Sequence, residues 1–183
     1  MTGAQDRYDW PSIALHWLIA VLVITLWILG KRIDAAEDVD ARRALHMSIG
    51  MSAWLLIAFR IGWRFRQGHP RVAGVSDRTH RLAKWTHYLM LILLSLMLVS
   101  GPVMAWANGA TIPVLGGFGI PGPFPASDAL RDAAHGVHEL SANALLILTL
   151  LHIAGALKHL MFHADDVFVR MLWPGRRADD KSS

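Results

Sequence analysis

No cysteine occurs in the 183-residue chain, and that absence removes disulfides, iron–sulfur clusters, thiol catalysis and covalent c-type haem attachment together. Any bound metal must therefore take nitrogen or oxygen ligands. Charge is scarce as well: Asp, Glu, Lys and Arg make up 17% of the chain against 54% apolar residues. With a mean hydropathy of +0.35, an integral membrane protein fits better than a soluble domain. The net charge of +4 does not point to nucleic acid, because the basic residues flank apolar segments and do not line one polar face. Internal repeats and low-complexity tracts are missing, so residues 1–183 are expected to form a single domain. Met1 to Trp10 lacks the short basic region that opens a cleavable signal peptide, and the first apolar segment is expected to stay in the mature protein.

Four segments have the length and character of membrane spans, which need about 20 mostly apolar residues to cross roughly 30 Å of hydrocarbon. They lie at about 11–30, 44–63, 85–107 and 136–162. The first and third are free of charge, although Gly101 and Pro102 are expected to bend the third. Arg60 interrupts the second, while Glu139 and Lys158 bracket the charge-free core of the fourth; charges near span ends can snorkel to the interface. Arg7, then Arg64, Arg66, Arg71, Arg78, Arg81 and Lys84, then Arg170, Arg176, Arg177 and Lys181 fall on one side of a four-span topology. The other side holds only Lys31, Arg32, Arg42, Arg43 and Arg131, the first four matched by Asp34, Glu37, Asp38 and Asp40. The predicted fold is an all-α four-helix transmembrane bundle with both termini cytoplasmic.

Six of the ten histidines, His16, His46, His87, His138, His152 and His159, fall in or beside these spans. An ionisable side chain in hydrocarbon is costly and marks function by default; the ordinary alternative is a histidine hydrogen-bonded between helices. Direction sorts them by depth. Spans one and three rise from the cytoplasm and spans two and four descend to it, so His46 and His138 form an outer layer. His152 lies fourteen residues below His138, four turns and about 21 Å on nearly the same helix face, and joins His16 in an inner layer. Two imidazole pairs, each from two helices at one depth, are the axial ligands of two bis-histidine haems in a bundle. Ala20, Gly50, Ala142 and Ala156 each follow a candidate ligand by four residues and leave room for a porphyrin plane.

The inner assignment has rivals. His87 on span three and His159, seven residues past His152, lie on the same side and are alternative inner ligands. Copper or zinc would also accept imidazoles, so a metal-binding or metal-transporting membrane protein is a third reading. Against it, transport sites gather acids, Met or His near mid-membrane, whereas Glu139 is the only acid in a span and the methionines read as packing.

The run Ile13-Ala14-Leu15-His16-Trp17 in span one, with His138-Glu139, Ala142-Asn143, Leu151-His152 and Lys158-His159 in span four, resembles the bacterial cytochrome b561 family. That family is related in pattern to the cytochrome b subunits of nickel–iron hydrogenases. His46 with Gly50, and Phe118-Gly119-Ile120-Pro121, agree with it. The resemblance implies a multi-pass protein of the bacterial inner membrane holding two haems b on His16, His46, His138 and His152. It also implies a quinone as one redox partner and, for one branch, superoxide:quinone oxidoreductase activity with superoxide oxidised at the outer face.

Local features bear on that mechanism. His159, about 10 Å beyond His152, is placed to contact a quinone carbonyl, or is an ordinary interfacial histidine. Arg60, fourteen residues after His46, is placed to pair with a haem propionate, or snorkels. Trp85 and Trp106 read as interfacial anchors, and Trp17 packs on porphyrin or on neighbours. The outer loops show no clear positive funnel for an anion, Arg42 and Arg43 being the best candidates. The Gly- and Pro-rich stretch 108–127 is expected to fold over the outer haem and control access. Two functions follow: a stand-alone dihaem enzyme between an outer donor and quinone, or an electron-transfer subunit on which a dehydrogenase or hydrogenase partner docks.

Overall fold

The computed structural model describes residues 10–67, 77–115, 117–158, 160–161 and 172. His159 and the basic residues Arg7, Arg71, Arg170, Arg176, Arg177 and Lys181 lie outside the described residues. Four helices and one small hairpin make up the described fold: α1 (Trp10–Lys31), α2 (Val39–Gln67), α3 (Asp77–Ala107), β1 (Ile112–Val114), β2 (Phe118–Ile120) and α4 (Asp128–Lys158). All four helices are long and apolar enough to cross a membrane.

Each helix boundary has a local cause. Pro11 stands in the first turn of α1, where its missing N–H has no intrahelical partner to lose. Asp38 caps α2 by accepting the Ala41 N–H at 2.9 Å. Ser127 caps α4, its carbonyl taking the Arg131 N–H at 2.9 Å, while its own N–H donates to Ala107 O at 2.9 Å and ties the start of α4 to the end of α3. The α3 terminus closes through Ala110 N–H to Ala105 O (3.0 Å) and Gly109 N–H to Trp106 O (2.9 Å). Gly109 is at φ 76°, the left-handed position that this cap requires and glycine fills without strain.

The helices exceed the apolar spans read from sequence. Arg64 and Arg66 belong to the last turns of α2, and Arg78, Arg81 and Lys84 to the first turns of α3, so most of that charge is helical and not in a loop. α3 runs through Pro102 without interruption, and α4 begins more than two turns before Gly136.

α1 packs on α2, α2 on α3, and α3 most extensively on α4. The core is narrow: Ile19, Ala53 and Ile57, surrounded by Leu22, Val23, Ile61, Leu94 and Leu98. Indole N–H groups tie the helices, Trp63 to Ser12 Oγ and Trp54 to Leu98 O, both at 3.0 Å. Large apolar side chains instead face outward, Leu55 and Leu140 at 74% and 72% exposure, which suits lipid and not water. Between α3 and α4, β1 and β2 pair antiparallel with Pro113 opposite Gly119. Within the Gly- and Pro-rich stretch 108–127, this hairpin is strapped to α2, where Leu115 N–H donates to Ser52 Oγ at 3.1 Å.

Candidate functional site

The histidines meet across helix pairs whose backbones do not pack closely, α2 with α4 and α1 with α4. At one level His46, in the second turn of α2, faces His138 of α4 with ring centroids 6.4 Å apart and planes at 82°. At the other, His16 of α1 faces His152 of α4 at 6.2 Å and 69°. His87 of α3 also reaches His152, at 5.0 Å, and its Nδ1–H donates to the Ala83 carbonyl at 2.7 Å.

The surroundings of the His46/His138 level were not read from sequence. A Cβ on Gly30 of α1 would lie 3.3 Å from His46 Cε1, and one on Gly101 of α3 would lie 3.2 Å from His138 Cε1. Each ring is therefore confined by a glycine of a neighbouring helix. Gly50 does not share this role: its Cβ would meet only Leu26 Cδ2, at 3.8 Å. Ser100 Oγ stands 3.1 Å from His138 Nδ1. His46 Nδ1 is buried without a well-formed hydrogen bond, the Leu26 carbonyl being its electrostatic neighbour. Lys31 and Glu139 join α1 to α4 at 3.4 Å, a half-exposed ion pair worth little in stability.

At the second level Arg60 and Arg64, one turn apart on α2, both act electrostatically on His16 and His87. Arg64 is only 7% exposed. Its involvement was hidden because it follows a span and looks like a topology charge; its spacing of four from Arg60 was the available signal. Trp17 stands edge-on to His16 with centroids 5.5 Å apart. Among the described residues no three His, Asp or Glu side chains converge as a metal-ion site.

The model of the prokaryotic cytochrome b561 family matches residues 7–174. The chain belongs to that family. It is 30% identical over 184 residues to cytochrome b561 homolog 2 of Escherichia coli (strain K12), covering 98% of this chain and 97% of the relative. It is 29% identical over 178 residues to cytochrome b562 of Cereibacter sphaeroides, covering 93% and 98%. This cytochrome b561 family member is accordingly a multi-pass bacterial membrane protein for haem b electron transfer, as the spans and the histidine pattern led one to expect. Its four candidate spans and its paired imidazoles occur in one chain, and the imidazole nitrogens provide the kind of donor that haem iron takes.

Proposed function

We propose that this protein binds two haems b, on His46 with His138 and on His16 with His152, and passes electrons between a donor at the outer face of the bacterial inner membrane and a quinone. The observation that carries this reading is the separation within each pair. A metal–imidazole bond of about 2 Å, plus roughly 1.1 Å from ring nitrogen to ring centre on each side, separates two trans imidazole centroids by about 6.2 Å. The two proposed pairs stand at 6.2 and 6.4 Å, while His87–His152 at 5.0 Å is too close for ligands on opposite sides of one iron. The buried His46 Nδ1 and the glycines behind His46 and His138 fit rings held for a ligand.

When bound, haem b supplies a one-electron iron couple at each level. The chain's own residues do the rest. His138 and His152, on one helix, fix the two levels about 21 Å apart along it. Arg60, joined by Arg64, places positive charge at the His16/His152 level, suited to a propionate carboxylate. His159 is assigned to the quinone, whose carbonyl needs a hydrogen-bond donor that also supplies protons. The positive-inside count supports cytoplasmic termini and therefore an outward-facing His46/His138 pair. Superoxide, the donor that the family resemblance implies for one branch, is the first small donor to test, although Lys31, Arg43 and Arg131 at that end are engaged with Glu139, Asp40, Asp128 and Asp132.

The test is a reduced-minus-oxidised spectrum with haem quantitation on the purified membrane protein. Two haems per chain, titrating as two couples, are expected; fewer than two would overturn the reading. Superoxide-driven reduction of a quinone then decides between a stand-alone enzyme and a subunit that needs a protein donor.

A further inference from the structure

We propose that the Ser100–Gly101 step of α3 is the positioning element for His138, Ser100 setting the tautomer of the ring and Gly101 its rotation. This rests on the reading of His46 and His138 as haem ligands. α3 supplies neither of these histidines, yet two consecutive residues of it touch the same side of one ring. Ser100 is 5% exposed and its Oγ lies 3.1 Å from Nδ1. A Cβ at Gly101 would stand 3.2 Å from Cε1 and 3.5 Å from Nδ1, so only glycine leaves the ring where it is.

Several hydroxyls in these helices bond their own backbone one turn back. Ser52 donates to Ser48 O, Ser95 to Leu91 O, and Thr149 to Leu145 O, at 2.7 to 2.8 Å, the usual local choice. Ser100 instead reaches across to α4. A neutral imidazole carries one N–H, and when Nε2 is the ligand nitrogen, Nδ1–H donates to Ser100 Oγ. An acceptor there raises the basicity of the imidazole and favours the oxidised metal. His46 has the matching glycine, Gly30, but no hydroxyl. The two rings of the pair are thus confined alike, with the Leu26 carbonyl of α1 as neighbour to His46 and the Ser100 hydroxyl of α3 as neighbour to His138, so α3 tunes only the second.

The experiment compares Ser100→Ala, Ser100→Thr and Gly101→Ala in the haem-loaded, full-length protein by potentiometric titration and electron paramagnetic resonance. Thr keeps the hydroxyl and adds one methyl at a position that lines a groove with Val99, Val103 and Ala134. Ser100→Ala is expected to keep two haems and to move one couple to higher potential while the other stays. Ser100→Thr should stay at the wild-type value, and Gly101→Ala should change the g-values of one low-spin signal. An unmoved couple in Ser100→Ala, or an equal shift in Ser100→Thr, overturns the proposal. Should Ser100→Ala lose one haem, retention of it at the wild-type potential by Ser100→Thr supports the proposal and loss in both overturns it. His138→Ala separates the two levels of argument: if it keeps both haems, the ligand assignment falls and this inference with it, whereas loss of one haem leaves Ser100 to be judged on its own shift.

Discussion

His87 and His152 bring their ring centroids to 5.0 Å at an interplanar angle of 77°, closer than His16 and His152 at 6.2 Å. Two imidazoles on opposite sides of one iron stand about 6.2 Å apart centre to centre, so the longer contact is the one that leaves room for a metal. His87 also has one nitrogen committed, Nδ1–H donating to Ala83 O.

A first prediction follows from this contrast. His16→Ala and His152→Ala should each lower the haem content from two per chain to one, and His87→Ala should keep two. Loss of a haem in His87→Ala with retention in His16→Ala would exchange their roles. The pyridine haemochrome assay on purified variants reads the difference directly.

At the other level, His46 and His138 come from α2 and α4 and share no ring contact with the His16 group among the described residues. His46→Ala and His138→Ala should therefore each remove the same single haem, and the double variant should remove no more than either alone. Non-additivity of this kind is the signature of residues acting as one unit. Spectra showing a different haem lost in each variant would break the pair.

Gly30 and Gly50 separate packing against a histidine from packing against an aliphatic side chain. Ala at 50 would make ordinary contact with Leu26 at 3.8 Å, so Gly50→Ala should gain helix stability, on the order of 0.5–1 kcal/mol, with both haems retained. Ala at 30 presses on His46 Cε1 at 3.3 Å, and Gly30→Leu should lose the His46 haem altogether. Thermal melts followed in the Soret band and at 222 nm distinguish the two outcomes.

The sequence carried the fold because lipid imposes a simple rule: four apolar stretches of about 20 residues can only be four helices. The fourteen-residue spacing of His138 and His152 on one face also anticipated two levels of histidine, and the structure brings His46 against the first and both His16 and His87 against the second. The sequence did not carry what surrounds the rings. Gly30 and Gly101 lie against histidines on helices other than their own, which a spacing rule that looks one turn along the same helix does not reach. Ser100 was invisible for the same reason, its partner being thirty-eight residues away. The hairpin of Ile112–Val114 and Phe118–Ile120 was missed because three-residue strands between Gly and Pro carry too short an alternation to register.

The last prediction concerns Arg60 and Arg64. Both guanidinium groups act on His16 and His87, and Arg64 is nearly buried, so its charge is screened less than a surface cation's. A positive charge near the metal disfavours the more positive oxidised form; removing it should therefore lower the midpoint potential. At about 10 Å and an effective dielectric of about 20 the interaction is on the order of 1.5 kcal/mol, roughly 60 mV for one electron. Arg64→Gln should lower one couple by tens of millivolts, while Arg64→Lys, which keeps the charge, should move it much less. Arg60→Gln should shift the same couple in the same direction, with a further effect if its guanidinium also holds a propionate. The couple that moves must be the one lost in His16→Ala. A shift confined to the couple lost in His138→Ala would place these arginines at the wrong level and undo the depth ordering of the whole bundle.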